Sequence, residues 1–155
     1  MKKLISIIIA AAFVCTIMSS IASADTFPRS WLWSSTPLQM VDTSKYKKDP
    51  PYTIGFSNAS ISNSWRVFFA RQVQAEAENH KDVIKKFYIT DANDKPDKQI
   101  GDVEDLVAKG IDLLLLSAAT MAALDPITTR TMKQGIPVIC VDRRVSSDNF
   151  VSFVT

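Results

Sequence analysis

The stretch that decides the fold is residues 52–69, YTIGFSNASISNSWRVFF. Its first six residues form a short apolar run that is typical of a strand, and a helical period begins at Ser64. Six of the eight residues from Ser57 to Ser64 are Ser or Asn, and Trp65 and Arg66 follow directly. The stretch therefore predicts a strand that leads through a polar loop into a helix, with an aromatic ring and a guanidinium at the junction.

The same alternation of strand and helix continues outward along the chain. Strands are predicted at 52–57, 83–90, 111–117 and 136–142, and helices at 64–79, from Pro96 to Gly110, and from the Asp125–Pro126 pair to about Gln134. The third strand, IDLLLLS, is apolar enough to be buried on both faces. Residues 149–155, NFVSFVT, begin a fifth strand. This order predicts an α/β fold, a doubly wound parallel sheet with helices on both faces and right-handed crossovers.

The first 24 residues have the pattern of a secretory signal peptide. Lys2 and Lys3 precede an apolar run, and the small residues before Ala24 predict cleavage after it. The alternative is a membrane anchor, but the apolar run is shorter than the roughly 20 residues that a span needs. Cys15 raises the possibility of a lipoprotein, which the bulky residues before that cysteine disfavour. We therefore expect export and no stable insertion in the membrane.

Residues 25–51 show no sustained period and contain four prolines. We interpret them as an N-terminal arm or linker. Trp31 and Trp33 either pack on the domain or a partner, or belong to a disordered segment, and the sequence leaves this open.

Charge and composition exclude several classes of function. Of 18 Lys and Arg residues, two lie in the signal peptide, so the remainder balances the 16 Asp and Glu residues. A net charge of zero gives no basic face for nucleic acid or for an anionic membrane. Cys140 lies in an apolar run and is expected in the core, with a reactive thiol as the alternative. His80 is the only histidine and is expected on the surface, so neither a zinc site nor a catalytic triad is predicted.

Ligands of open α/β sheets bind beyond the carboxyl ends of the strands, at the point where the strand order reverses. The predicted strands deliver polar residues to that edge: Ser57 to Arg66, then Asp91, Asn93 and Asp94, then Ser117 and Thr120, then Asp142, Arg143 and Arg144. The set contains no pair of nucleophile and base and no glycine-rich phosphate loop. It therefore disfavours an enzyme or a nucleotide site.

The chemistry of this set matches a sugar. Carboxylates and guanidinium groups form strong hydrogen bonds with vicinal hydroxyls, and an indole covers the apolar face of a sugar ring. Trp65, Arg66, Asp142 and Arg143 supply these groups. Each also has a structural interpretation: Trp65 as a core residue, Asp142 and Arg143 as a structural ion pair, and residues 93–97 as a turn with a helix cap.

Three segments of the chain resemble a known family. They are YTIGFSNASISNSWR, DANDKPDKQIGDVEDLVAKGIDLLLLS and IPVICVDRRV. From Tyr52 to Thr155 the chain is similar to the N-terminal lobe of the type I periplasmic sugar-binding proteins, the substrate receptors of ABC transporters for ribose, galactose and galactofuranose. Asp142–Arg143 after the fourth strand is the most specific mark.

The resemblance implies a non-enzymatic protein of the periplasm that binds a monosaccharide without a cofactor or metal and delivers it to ABC transporter permease subunits. The implied ligand contacts are Asn63, Trp65, Arg66, Asn93, Ser117, Asp142 and Arg143. Ser117 departs from the pattern, because many members have Asn there. The family has two lobes and this chain matches one, so we expect a truncated gene product that lacks the second lobe.

Three other functions compete with this expectation. A sensory lobe of the same fold would pass the sugar signal to a chemoreceptor or a sensor kinase. An enzyme on a doubly wound sheet is possible on fold alone. A repressor of the same fold is disfavoured by the signal peptide and by the lack of a DNA-binding helix pair.

Overall fold

The computed structural model describes residues 41–155. The predicted signal peptide, its cleavage site, Cys15, Trp31 and Trp33 lie outside the described residues. The described part is one compact unit.

The alternation of strand and helix that the sequence predicts is confirmed. After a short 3-10 helix, Ser44–Tyr46, the elements are β1 Tyr52–Asn58, α1 Ser64–Asn79, β2 Ile84–Asp91, α2 Pro96–Ala108, β3 Leu113–Leu116, α3 Met121–Lys133, β4 Val138–Val141 and β5 Ser152–Val154. Gly110 and Gly135 follow α2 and α3 with φ of +73° and +84°, the left-handed conformation that favours glycine after a helix. No helix between residues 41 and 155 combines the length and the apolarity needed to cross a membrane.

The five strands form one parallel sheet in the order β2-β1-β3-β4-β5. The order reverses between β1 and β3, because the chain first moves to one side of β1 and then crosses to the other. Neighbouring residues of β1 show that helices cover both faces. The ring of Phe56 meets Phe69 of α1, whereas a side chain at Gly55 would meet Leu106 of α2. The predicted doubly wound α/β fold is therefore confirmed.

The main core lies between the sheet and the pair α2 and α3. It contains buried residues from both helices and from β3 and β4, among them Val103, Leu106, Leu114, Leu124 and Val138. Cys140 is fully buried in this core, as predicted, and burial raises the pKa of its thiol. A buried neutral thiol is a packing residue and a poor nucleophile.

The predicted start of the third helix is wrong. The helix begins at Met121, and Pro126 lies inside it instead of opening it. Proline at this position removes the hydrogen bond to the carbonyl of Ala122. Ala122 and Pro126 are both exposed, so water can satisfy that carbonyl and the helix continues through the proline.

The prediction that β3 is buried on both faces is also wrong. Leu114 and Leu116 are fully buried beneath α2 and α3, but Leu113 and Leu115 on the opposite face are only partly buried. An apolar run indicates burial but not how completely each face is covered. That depends on the helix packed there, and α1 contacts β2, at the edge of the sheet.

The segment before β1 packs against the amino-terminal edge of the sheet. Tyr46 donates a hydrogen bond to the sulfur of Met132, and Lys48 pairs with Asp112. Asp112 also accepts from the backbone N–H of Thr53 at 2.7 Å. Partial burial raises the pKa of Asp112, but the hydrogen bonds from Lys48 and Thr53 and the charge of Lys48 outweigh it, so the net pKa is lowered.

Two glycines provide a matched test of packing. A Cβ at Gly55 would lie 3.0 Å from Cδ1 of Ile111 and 3.3 Å from Cδ1 of Leu106, both in the core, whereas a Cβ at Gly101 in α2 meets nothing within 4 Å. We expect Gly55→Ala to lower the free energy of unfolding by about 1–2 kcal/mol through overpacking. Gly101→Ala should raise it by about 0.5–1 kcal/mol, because alanine is the better helix former. Urea titrations of both variants measure this, and equal effects of the two substitutions would contradict it.

Candidate ligand-binding site

The candidate site lies at the carboxyl edge of the sheet, where the strand order reverses between β1 and β3. In this position two loops run in opposite directions and leave a crevice between them. The start of α1 lies on one side, and the loop after β4 lies on the other.

Asn63 fixes the start of α1 and thereby the positions of the two residues that follow Ser64. It is the N-cap, and its side-chain oxygen accepts a hydrogen bond from the backbone N–H of Arg66 at 3.0 Å. The predicted polar loop therefore ends in a helix cap. Trp65 and Arg66 consequently lie in the first turn of α1, at the mouth of the crevice.

Arg66 and Asp142 form the central contact of the site. Nη2 of Arg66 lies 2.7 Å from Oδ2 of Asp142, and Nη1 lies 3.5 Å from Oγ of Ser117. The side chain of Arg66 is 6% exposed and that of Asp142 is 28% exposed. Asp142 has φ of +63°, which turns the chain sharply after β4. One buried guanidinium thus joins the ends of three separate elements, α1, β3 and β4.

Trp65 is 53% exposed beside this pair. Its indole stacks on the ring of Phe69 at a centroid distance of 5.3 Å and an angle of 11°. Phe69 in turn meets the edge of the fully buried Phe56 at 5.7 Å. The alternative that Trp65 is a core residue is therefore wrong. Its indole packs on Phe69 and has the guanidinium carbon of Arg66 at 5.7 Å from its centroid, but about half of the residue remains exposed.

Arg143 lies across the crevice from α1. Its Nε is 3.9 Å from Oδ2 of Asp142, and its Nη1 is 3.7 Å from Oδ1 of Asp94. Both distances are longer than a hydrogen bond. Between residues 41 and 155, no acceptor forms a hydrogen bond with this guanidinium, which is 41% exposed. A cavity of about 460 Å³ borders the side chain, and its lining also includes residues 118–121, Asp142, Arg144 and Phe153.

Asn93 remains apart from the other candidates. Its backbone N–H donates to Asp91 at 3.0 Å, and its φ is +52°. Among the described residues its side chain forms no hydrogen bond with the other candidates. The turn of the structural alternative for residues 93–97 is observed, but the N-cap of α2 is Lys95, whose side chain makes no capping hydrogen bond.

Sequence reasoning missed one residue that holds the site together. Gln99 of α2 is fully buried, and its Nε2 donates to the carbonyls of Ser117 at 2.8 Å and Ser57 at 3.3 Å. Its Oε1 accepts from the N–H of Ala119 at 2.7 Å. It therefore ties the end of β1 to the end of β3. The one signal in the sequence was a polar residue on the otherwise apolar face of α2.

A larger groove, of about 530 Å³, lies at the opposite, amino-terminal edge of the sheet. Its lining is mainly apolar and includes Tyr46, Ile54, Leu113, Ile139 and Val151. We place the candidate site at the carboxyl edge, because Asp142 there both lines the smaller cavity and pairs with Arg66, next to the exposed indole of Trp65. Among the described residues, no cluster of three or more His, Cys, Asp or Glu side chains could hold a metal ion.

Comparison with known proteins agrees with this fold. A family model, the periplasmic binding protein domain, matches residues 54–155. The ribose import binding protein RbsB of Bacillus subtilis (strain 168) is 30% identical over 71% of this chain and 35% of its own length. The galactofuranose-binding protein YtfQ of Escherichia coli (strain K12) is 28% identical over 61% of this chain and 29% of its own length.

Solved structures of sugar-binding proteins are also similar to this chain. The fructose-binding periplasmic domain of a hybrid two-component system is 34% identical over 66% of this chain and 33% of its own, with a TM-score of 0.61. A galactofuranose-binding protein is 27% identical over 68% of this chain and 36% of its own, with a TM-score of 0.63. The chain spans about a third of the length of the curated relatives that it matches. Since the family model covers well over half of it, the chain belongs to the periplasmic binding protein family.

Proposed function

We propose that this chain binds a monosaccharide in the crevice at the carboxyl edge of the sheet, as the receptor component of an ABC sugar importer in the periplasm. The observation that carries the proposal is the pair formed by the buried Arg66 and the partly buried Asp142, beside the exposed indole of Trp65. Arg66 and Asp142 can form hydrogen bonds with hydroxyls, and the indole can cover an apolar ring face. All three lie at the carboxyl edge, near the point where the strand order reverses.

The hydrogen-bonding capacity of the crevice suits a neutral polyol. Asp142 uses Oδ2 for Arg66, which leaves Oδ1 to accept from a hydroxyl. Arg143 adds a guanidinium that can donate two parallel bonds to neighbouring oxygens. Around the crevice, the positive charges of Arg66, Arg143 and Arg144 are each close to a carboxylate, so no net charge selects an ionic ligand. The carboxylates are those of Asp142, Asp94 and Asp148.

The named relatives support the class of ligand. Two of them are described as ribose and galactofuranose binders, and a third is a fructose-binding domain. Asn63, Trp65, Arg66, Ser117, Asp142 and Arg143 are the proposed contacts, with Asn93 at the rim. Phe69 occupies one face of the indole, so a sugar ring would lie against the edge or the remaining face of Trp65.

A sensory lobe is the second candidate function. It is favoured by the 34% identity to the fructose-binding domain of a hybrid two-component system. The two roles differ in partner: an importer delivers its sugar to permease subunits, whereas a sensor passes the signal to a kinase. Crosslinking of the exported chain in its native cells, with and without sugar, distinguishes a permease partner from a kinase partner.

The proposed role is binding without catalysis. His80, the only histidine of the chain, follows the end of α1, at the opposite edge of the sheet from the crevice. The imidazole of His80 is therefore not placed beside Ser117 or the other hydroxyls of the site.

Saturation-transfer difference NMR tests the proposal on the full chain, because it detects weak binding. Residues 41–155 form one compact unit, which encloses a ligand from one side only, so we expect this chain to bind at least one of ribose, galactose, arabinose and fructose with a millimolar dissociation constant. The Arg143→Ala variant should lose the signal. Arg130→Ala is the matched control, because it breaks an exposed ion pair with Glu104 far from the crevice.

Three results would contradict the proposal. They are the absence of binding by all four sugars, undiminished binding by the Arg143→Ala variant, and conversion of a bound sugar into a product.

A further inference from the structure

The loop after β2 is held in an unusual conformation. In the described part of the chain, three residues other than glycine have positive φ: Asn93 at +52°, Asp94 at +55° and Asp142 at +63°. All three lie at the carboxyl edge of the sheet. Asn and Asp tolerate this region better than other residues that carry a side chain, and such backbone tends to cluster at functional sites. Two consecutive left-handed residues before α2 therefore give this loop a specific turn.

Three hydrogen bonds fix the loop and the position of Asp94. The N–H of Ala92 donates to the carbonyl of Asn58 at 2.9 Å, and the N–H of Asp94 donates to the carbonyl of Ala59 at 2.8 Å. The N–H of Asn93 is bound by the carboxylate of Asp91 at 3.0 Å. The loop is thereby attached to the end of β1, and the carboxylate of Asp94 is displaced toward the centre of the sheet.

This displacement lets Asp94 reach a residue that belongs to a distant strand. β2 and β4 are separated by β1 and β3, which places them roughly 14 Å apart at the usual spacing of strands. Oδ1 of Asp94 nevertheless lies 3.7 Å from Nη1 of Arg143. The pair therefore spans the ends of β1 and β3, across the mouth of the crevice.

We propose that Asp94 is a positioning residue of the ligand site, which holds the guanidinium of Arg143 over the crevice before a ligand arrives. The proposal rests on the proposed function, in which Arg143 contacts the sugar. Arg143 lies between two carboxylates, that of Asp142 on its Nε side and that of Asp94 on its Nη1 side. Both contacts are longer than a hydrogen bond. The two carboxylates therefore restrain the side chain, while its N–H groups remain free to donate to a ligand.

The restraint acts on affinity through conformational entropy. A free arginine side chain loses rotamer freedom when it binds, and a side chain that is already ordered loses less. Both partners are about half exposed, so the pair is weak and screened by salt. We expect Asp94→Asn to weaken sugar binding only about threefold at low salt, in keeping with exposed ion pairs. Asparagine tolerates positive φ, so this variant keeps the loop.

The first measurement needs no sugar. We expect ¹⁵N relaxation of the Arg143 Nε–H group in the full chain to report an ordered side chain, and the Asp94→Asn variant to report a mobile one. Glu104→Gln is the control, because it should loosen Arg130 and leave Arg143 unchanged. Unchanged order of Arg143 in the Asp94→Asn variant would overturn the proposal.

The second measurement is a double-mutant cycle on the dissociation constant of the sugar that binds best. If Asp94 acts through Arg143, Asp94→Asn should have little effect in the Arg143→Gln background, where the positive charge is absent. Additive effects of the two substitutions would overturn the positioning role. Failure of every sugar to bind refutes the proposed function, and the relaxation measurement still decides whether Asp94 orders Arg143.

Discussion

Replacing Asp142 with glycine is expected to lower the free energy of unfolding by about 3 kcal/mol. The substitution removes the carboxylate that Arg66 contacts at 2.7 Å and leaves a guanidinium that is 6% exposed without a countercharge. Glycine is the appropriate replacement because Asp142 has φ of +63°, where alanine would add backbone strain to the loss of charge. Urea unfolding followed by circular dichroism measures the change.

A double substitution separates the cost of an unpaired charge from the value of the pair itself. Arg66→Met fills much of the same volume without a charge, so Arg66→Met/Asp142→Gly should be more stable than Asp142→Gly alone. Arg143→Ala is the control for loss of a charge at the same edge of the sheet. We expect it to lower the free energy of unfolding by at most about 1 kcal/mol, because this side chain is 41% exposed. A double variant that is less stable than Asp142→Gly would contradict the assignment of Arg66 as a buried charge that depends on Asp142.

Replacing Phe56 with alanine is expected to lower the free energy of unfolding by about 3–5 kcal/mol. Phe56 is fully buried in β1, and its ring supports Phe69, on which Trp65 stacks. The cavity left by the missing ring should also loosen the site. Phe69 loses its edge contact with Phe56, so the indole of Trp65 stacks on a more mobile ring. Urea unfolding gives the stability, and the NMR line width of the Trp65 indole N–H reports its mobility.

Phe68→Ala is the matched control, since this ring lies on the same helix as Phe69 but is 62% exposed. We expect it to change the stability by no more than about 0.5 kcal/mol and to leave the Trp65 signal unaltered. An Asp142→Gly variant with an undisturbed Trp65 signal would further show that the aromatic stack and the ion pair are independent. Similar losses of stability for Phe56→Ala and Phe68→Ala would show that the stack does not depend on the core.

Local signals in the sequence were sufficient for most of the fold. The order of strands and helices follows from apolar runs and helical periods, and the start of α1 follows from Asn63, whose side chain caps the helix three residues away. The start of α3 could not be read in this way, because Asp125 and Pro126 form a favourable cap that the structure does not use. The helix instead starts earlier, where the chain leaves β3 and turns back over the sheet.

The candidate site could likewise be predicted only in part from the sequence. The sequence by itself determined which residue types arrive at the carboxyl edge, because parallel strands deliver their following loops to one edge. Only the tertiary structure decided which of them meet: Arg66 with Asp142, 76 positions along the chain, and Asp94 rather than Asn93 with Arg143. The physical reason is that these contacts depend on strand order and on left-handed backbone at Asn93, Asp94 and Asp142, and neither is determined by neighbouring residues alone.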